Sequence, residues 1–193
     1  MFKYFHIIHF LMTHNLSQLK EHWRRDIIKR RKFKWSRLLK TITRSTDLNP
    51  RYWFWWRLAR EMHLHGSKKQ KSISNLINLG LIKNYNIEIT LNVDIGFNPF
   101  ISHFCGIVIN GNAEIGNNFI CRQNVTIGWK SHPLKVIIGD NVKIGASSVI
   151  LGGEIKIGDN TEIGAMSFIT RDIPNNCIVY TEKKNKIIEK TIY

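Results

Sequence analysis

With 193 residues the chain has room for one sizeable core plus a smaller module. Residues 1–84 hold 19 Lys/Arg against 4 Asp/Glu and the remainder holds 10 against 10, so the net charge of +15 belongs entirely to the N-terminal part. That asymmetry predicts an acidic partner for the N-terminal module, such as a phosphate-bearing lipid surface, an anionic polymer or a nucleic acid, and excludes a simple electrostatic role for the neutral remainder.

The opening run Met1 to Met12 is apolar but carries His6 and His9. It is too short to span a bilayer and lacks a small-residue cleavage site, so it reads as neither a membrane span nor a signal peptide. From Asn15 to about Tyr85 the pattern is helical. Ser17 is placed to cap a first helix with Leu19, Trp23 and Ile27 on one side. A second helix is expected over Lys34 to Thr43. A third opens at Asn49-Pro50 and stops at Gly66, and a fourth runs from Ser72 to Ile82. Trp23, Trp35, Trp53, Trp55 and Trp56 are interleaved here with arginine and lysine. One reading packs these rings between helices and onto the next module. The other makes them an interfacial face on anionic lipid at the inner side of the plasma membrane. No helix-turn-helix or ribonucleoprotein-type motif supports nucleic-acid binding.

Beyond Tyr85 the period changes. Ile95-Gly96, Ile115-Gly116, Ile127-Gly128, Ile138-Gly139, Ile144-Gly145, Ile157-Gly158 and Ile163-Gly164 recur at multiples of about six residues, a spacing that fits a parallel β-helix turning a corner after each short strand. One coil then takes about 18 residues. Ile89, Ile95, Ile101, Ile115, Ile127, Ile138, Ile144, Ile150, Ile163 and Ile169 are expected to stack inside, and Cys121 to occupy an inward rung. Residues 129–135 break the register and read as an extruded loop, where function tends to sit. A one-residue slip at Gly152-Gly153 reads as a bulge. Three cysteines, Cys105, Cys121 and Cys177, show no paired metal spacing, and their odd number argues against a disulfide framework, which places the chain in a reducing cytoplasm. The expected organisation is a helical domain over 1–85, a β-helix over 86–176 and a tail over 177–193.

Within the β-helix, His103 stands just before a tight corner at Gly106, and Glu88 lies fifteen residues earlier, close to one coil away. A carboxylate holding one ring nitrogen orients a histidine and keeps the other nitrogen basic, which is what general-base activation of a hydroxyl requires.

The run from Ile87 to Arg171 resembles the hexapeptide-repeat acyltransferases, in particular the serine O-acetyltransferase branch. Ile87-Glu88-Ile89 is similar to that family's Val-Asp-Ile, Ser102-His103 to its Asp-His, Gly106-Ile107-Val108 to its Gly-Ile-Val, Val125-Thr126-Ile127-Gly128 to its Val-Thr-Leu-Gly, and His132-Pro133 to its loop His-Pro. The resemblance implies a mainly β fold, a left-handed parallel β-helix behind an α-helical N-terminal domain. It further implies a homotrimer, with trimers able to pair through the helical caps, and acetyl-CoA in the groove between subunits. By carry-over His103 is the base, Glu88 its orienting partner and His132 a positioning group. Gly128, Trp129, Lys130, Ala146, Met166 and Arg171 would line the coenzyme site, with Arg171 near its phosphates. Ser102, Ser131 and Asp94 would meet the acceptor. No metal is implied.

Two departures bear on the acceptor. Family members that acetylate serine carry an aspartate before the catalytic histidine and an arginine before the loop histidine, where this chain has Ser102 and Ser131. Leaving an ammonium and a carboxylate poorly paired costs roughly 1.5–3 kcal/mol per contact. A neutral polyol then fits better, and the chain resembles acetyltransferases for capsule or O-antigen polysaccharide acting on a glycan or lipid-linked glycan. Serine O-acetyltransfer is the alternative, and a non-enzymatic scaffold or membrane tether is a third reading. A zinc carbonic anhydrase is disfavoured, because this β-helix offers only His103 and His132 as histidine ligands.

Overall fold

The computed structural model describes residues 2–111, 113–129, 135–182, 184 and 187–188. Five α-helices come first: α1 (Phe2–Thr13), α2 (Ser17–Trp23), which continues into a π-helical turn over Arg24–Ile28, then α3 (Trp35–Arg44), α4 (Asn49–His65) and α5 (Lys68–Tyr85). The apolar opening segment is therefore a helix, with Ile7 and Phe10, three apart, buried on its inner side. Ser17 does not cap α2; its own N–H donates to Asn15 Oδ1 at 2.9 Å. α5 starts earlier than Ser72 because Ser67 and Gln70 form a reciprocal capping box that satisfies two orphan N–H groups.

Packing decides between the two readings of the tryptophans. Trp23, Trp53 and Trp56 are almost wholly inaccessible, and Trp23 stacks on Phe54 with centroids 4.7 Å apart. The expected Trp-rich interfacial face is thus mostly interior, and of the five rings only Trp35 is well exposed, at 43%. No helix among the described residues is long and apolar enough to cross a membrane.

Among the described residues fourteen short strands follow, three in each of the first four coils. The first coil is β1 (Ile87–Ile89), β2 (Asp94–Ile95) and β3 (Phe100–Ile101). The second is β4 (Ile107–Ile109), β5 (Glu114–Ile115) and β6 (Ile120–Cys121). The third is β7 (Thr126–Trp129), β8 (Val136–Ile138) and β9 (Lys143–Ile144). The fourth is β10 (Val149–Gly152), β11 (Ile155–Ile157) and β12 (Glu162–Ile163), and β13 (Phe168–Ile169) and β14 (Ile178–Val179) close the stack. Among the described residues all pairings are parallel, and strands three apart pair, except that the last strand, β14, pairs with β12, giving three flat faces of a left-handed β-helix of about four turns: β1-β4-β7-β10-β13, β2-β5-β8-β11 and β3-β6-β9-β12-β14. We call these the first, second and third faces. β14 draws residues from the expected tail into the stack.

Every isoleucine expected inside is buried, and Cys121 fills its rung with its thiol pushed up to about 12 by burial. Each such side chain contributes roughly 1.5–3 kcal/mol of apolar burial. Coil length is less regular than 18 residues. On the first face Glu88 pairs with Val108, Val108 with Thr126, Thr126 with Val149 and Val149 with Phe168, steps of 20, 18, 23 and 19. Against a six-residue side, two extra residues fall between β3 and β4, five between β7 and β8, and one between β10 and β11.

One corner is held by an asparagine ladder. Asn98, Asn118, Asn141, Asn160 and Asn176 all adopt φ between 53° and 60° and pass a side-chain amide bond from coil to coil, at 3.2 Å and then 2.8–2.9 Å. Asparagine tolerates this left-handed backbone and its amide is both donor and acceptor, so one residue type solves strain and satisfaction together.

α4 closes the bottom of the solenoid. A first coil exposes unpaired strand edges unless something covers them. Trp56 Nε1 donates to Ile89 O at 3.2 Å on the first face. On the second, Arg57 donates to Ile95 O and Gly96 O, both at 2.6 Å, and Arg60 Nε to Val93 O at 2.8 Å. On the third, Asn49 accepts from the Ile101 N–H and donates to its carbonyl, both at 2.9 Å.

Candidate active site

His103 lies in the lengthened corner between β3 and β4, and its side chain is exposed. Three backbone bonds define that corner: Ser102 N–H to Cys121 O at 3.0 Å, Cys105 N–H to His103 O at 3.0 Å, and Gly106 N–H to Asn86 O at 2.9 Å. Gly106 takes φ 62°, and a Cβ there would collide with Asn124 Oδ1 unless that side chain moved, so both the backbone and the space favour glycine. The neighbouring Phe104 turns inward and meets Tyr52 of α4 and Tyr85 of α5 edge-on or tilted, with centroids 5.6 Å away in each case. The helical domain thus grips the residue next to His103 while the imidazole projects outward. Sequence reasoning missed Phe104; an aromatic between histidine and a Cys-Gly turn is the only signal it leaves.

Glu88 is the outward-facing middle residue of β1 and is exposed. Its register partner is Val108, five residues after His103, because the extra corner residues lengthen the coil to 20. Carboxylate and imidazole therefore stand near the same edge, where the third face turns into the first, but make no hydrogen bond or ion pair to each other among the described residues. Ser102 is half-buried beside the histidine.

The same edge continues upward. Asn124 N–H donates to Cys105 O, Ser147 N–H to Gln123 O and Met166 N–H to Ala146 O, so the turns of successive coils stack above His103. Asn124, Ser147 and Met166 all have φ of 57–59°, and Met166 is 59% exposed. Ala146 and Met166, both expected near the coenzyme, thus lie two and three coils above His103, about 10–15 Å along the axis at 4.7–4.9 Å per strand. Gln123 Oε1, buried without a partner among the described residues, belongs to this edge too.

Other expected residues sit elsewhere. Gly128 and Trp129 end β7 on the far side of the first face, leading into the loop. Arg171 is exposed after β13, above the end of β10, and lines an open concavity of about 590 Å³ with Asp172, Pro174 and Tyr180. Lys130, Ser131 and His132 lie outside the described residues. Asp94 is on the second face, opposite the His103 edge, and its carboxylate is held by Arg60 at 2.8 Å. Asp94 apart, the expected residues that are described therefore divide, within one chain, between the two edges flanking the first face. Among the described residues no three His, Cys, Asp or Glu side chains gather as a metal site.

Comparison with known proteins agrees with this architecture. Residues 135–171 match the family described as bacterial transferase hexapeptide (six repeats). A serine acetyltransferase of Staphylococcus epidermidis is 43% identical over 95 residues, covering 46% of this chain and 43% of that protein. The crystal structure of serine acetyltransferase isoform 3 from Entamoeba histolytica, in complex with cysteine, superposes with TM-score 0.72 at 27% identity over 96% of this chain and 64% of that one. The Brucella abortus serine acetyltransferase in complex with coenzyme A shares the fold at TM-score 0.59 and 24% identity, over 67% of this chain and 51% of that one. The chain spans less than half of the Staphylococcus relative and less than two thirds of either structure.

Proposed function

We propose that the chain is an acetyl-CoA-dependent O-acetyltransferase that works as a homotrimer and uses serine as acceptor. The observation that carries the reading is His103, raised into solvent by a lengthened corner at the foot of an edge of stacked turns. That edge offers a track for an extended acyl carrier, with Ala146 and Met166 along it and the thioester end near the imidazole. The division of the described expected residues between two edges supports a trimer, because a neighbouring copy would bring its opposite edge, with Gly128 and Arg171, against the His103 edge of the first.

In this reading the acceptor hydroxyl gives its proton to an imidazole nitrogen as its oxygen attacks the thioester carbonyl. The protonated imidazole then returns that proton to the departing thiolate, so the base is regenerated each turnover. A backbone N–H of the corner turns is suited to hold the oxyanion. Glu88 acts as the orienting carboxylate, closing on the imidazole when the site fills.

The relatives named above are serine enzymes, which favours serine over the polysaccharide acceptor. Ser102 favours the second reading, a neutral polyol such as a capsular or O-antigen sugar, because no carboxylate precedes His103 to meet an ammonium. Thiol release from acetyl-CoA, measured with free serine and with a neutral glycan as acceptors, separates the two. Turnover with serine alone supports the proposal; turnover with glycan alone transfers it to the second reading, and none with any hydroxyl acceptor ends both.

A further inference from the structure

Part of the helical domain's positive charge clusters around two adjoining concavities. Arg24, Arg25, Lys29, Arg30 and Arg31 line, with Asn98, an open concavity of about 500 Å³. Arg30 also lines an adjoining concavity of about 460 Å³ together with Arg37 and Lys40 of α3. No carboxylate lines either one. The two acidic residues nearest in the chain are already committed. Glu21 is held by Arg24 and Arg25 at 2.6–2.7 Å, which lowers its pKa to about 2, and Asp26 turns inward to Arg57.

The backbone here is fixed, two of the cationic heads are held, and those of Lys29, Arg30 and Arg31 are left for a ligand. The π-helical turn ends at Lys29 in left-handed backbone, φ 51°, and Arg24 Nη1 donates to the Arg30 carbonyl at 2.8 Å. Arg25 lies over the Phe97 ring, 4.2 Å from its centroid. The side chains of Lys29, Arg30 and Arg31 form no hydrogen bond or ion pair among the described residues. Holding so many like charges together opposes folding unless a multivalent anion joins them, and the arginine fork matches phosphate oxygens in pairs. A second copy of the chain would bring the same charge and is repelled.

We propose that this surface is a binding site for clustered phosphate groups, two or more spaced to fill the concavities that share Arg30. Their source is either the headgroups of an anionic lipid surface or a soluble polyphosphate. The site lies on the helical domain and stands independently of the acetyl-transfer reading.

The full chain is titrated with inorganic tripolyphosphate and, separately, sedimented with phosphatidylglycerol-containing vesicles. The probes are then repeated on Arg30→Glu/Arg31→Glu and on Lys68→Glu/Lys69→Glu, which changes net charge equally at the exposed start of α5. The first variant is expected to lose about ten-fold or more in affinity and the second less than about two-fold. Vesicle binding with weak tripolyphosphate binding assigns the lipid surface, and the reverse assigns a soluble ligand. Binding to neither probe, equal loss in both variants, or citrate competing as well as tripolyphosphate overturns the proposal. Circular dichroism of each variant keeps misfolding from passing as lost binding.

Discussion

Arg57 and Asp26 meet at 2.9 Å in the interior, both side chains nearly or fully inaccessible, and the same guanidinium holds two carbonyls of the first β-helix coil. Burial pushes the Asp26 carboxyl up, and the Arg57 charge and the Asn98 N–H oppose that shift. A pair like this joins two modules more than it stabilises either, since its desolvation offsets much of its attraction. Arg57→Met is therefore expected to cost about 3–5 kcal/mol, by leaving a buried carboxylate without a counter-charge. The double variant with Asp26→Asn should cost less than the sum of the two single changes. Urea unfolding of all four proteins measures the coupling, and strict additivity would show the pair to be energetically independent.

Beside that pair, His22 is buried against Phe97, and burial together with the charges of Arg57 and Arg60 lowers its pKa from 6.5 to about 3. The unfolded chain then binds a proton that the folded one refuses between these values. Stability is fully present above about pH 6.5 and is lost as pH falls toward 3, with a limiting slope of about 1.4 kcal/mol per pH unit. Asp26, with its raised folded value, works in the opposite direction above pH 3.8. The difference between wild type and His22→Gln isolates the histidine: unfolding free energy followed across pH 4–6 should be flatter in its acid limb for the variant, and parallel curves would refute the assignment.

In the asparagine ladder, Asn141 donates to Asn160 and accepts from Asn118 with φ 59°. Asn141→Ala loses both bonds and replaces a residue that tolerates left-handed backbone with one that tolerates it poorly, for about 2–4 kcal/mol in all. Asn141→Gly loses only the bonds and should recover about 1–2 kcal/mol of that. Thermal melts of the two variants separate strain from hydrogen bonding; identical melting would mean that strain contributes nothing.

For the proposed chemistry, His103→Ala should lower acetyl transfer by about 10²–10⁴-fold with no change in unfolding temperature, because its imidazole supports no packing. Near-normal turnover in that variant would remove His103 as the base.

Phe104 supplies a separate handle on the same corner. Phe104→Ala should reduce turnover while leaving the Michaelis constant for acetyl-CoA close to wild type, and Phe104→Leu should restore part of the rate by refilling the space against Tyr52 and Tyr85. A variant impaired only in stability would show a lower unfolding temperature at unchanged turnover.

The solenoid was largely legible in the sequence because each inward isoleucine is decided locally, by a corner glycine or asparagine and a six-residue side. Ile89 through Ile169 all fall inside for that reason. The lengthenings at residues 129–135 and at Gly152-Gly153 were legible as breaks in the six-residue period, but the first coil's length was not, since two inserted residues beside His103 carry no compositional mark and shift Glu88 into register with Val108. Packing of the helical domain onto the next module was among the readings, but the bonds by which α4 caps it were not legible. Nothing in the order Trp56-Arg57 says that one side chain reaches Ile89 and the next Ile95; that depends on how the helix lies across a distant edge. The two-edge arrangement of the candidate site was hidden for a similar reason, because spacing along the chain gives height on the solenoid more readily than the side of the prism.

A stack of near-identical coils has no inherent first floor. By grasping all three sides of one coil, α4 supplies that datum, and Asn49 takes hold of Ile101 only two residues short of His103. The height of the imidazole is thus measured from the helical end alone. Descendants of this chain are free to gain or shed whole storeys above Met166 without moving His103, whereas any coil inserted below it would part the histidine from its foundation.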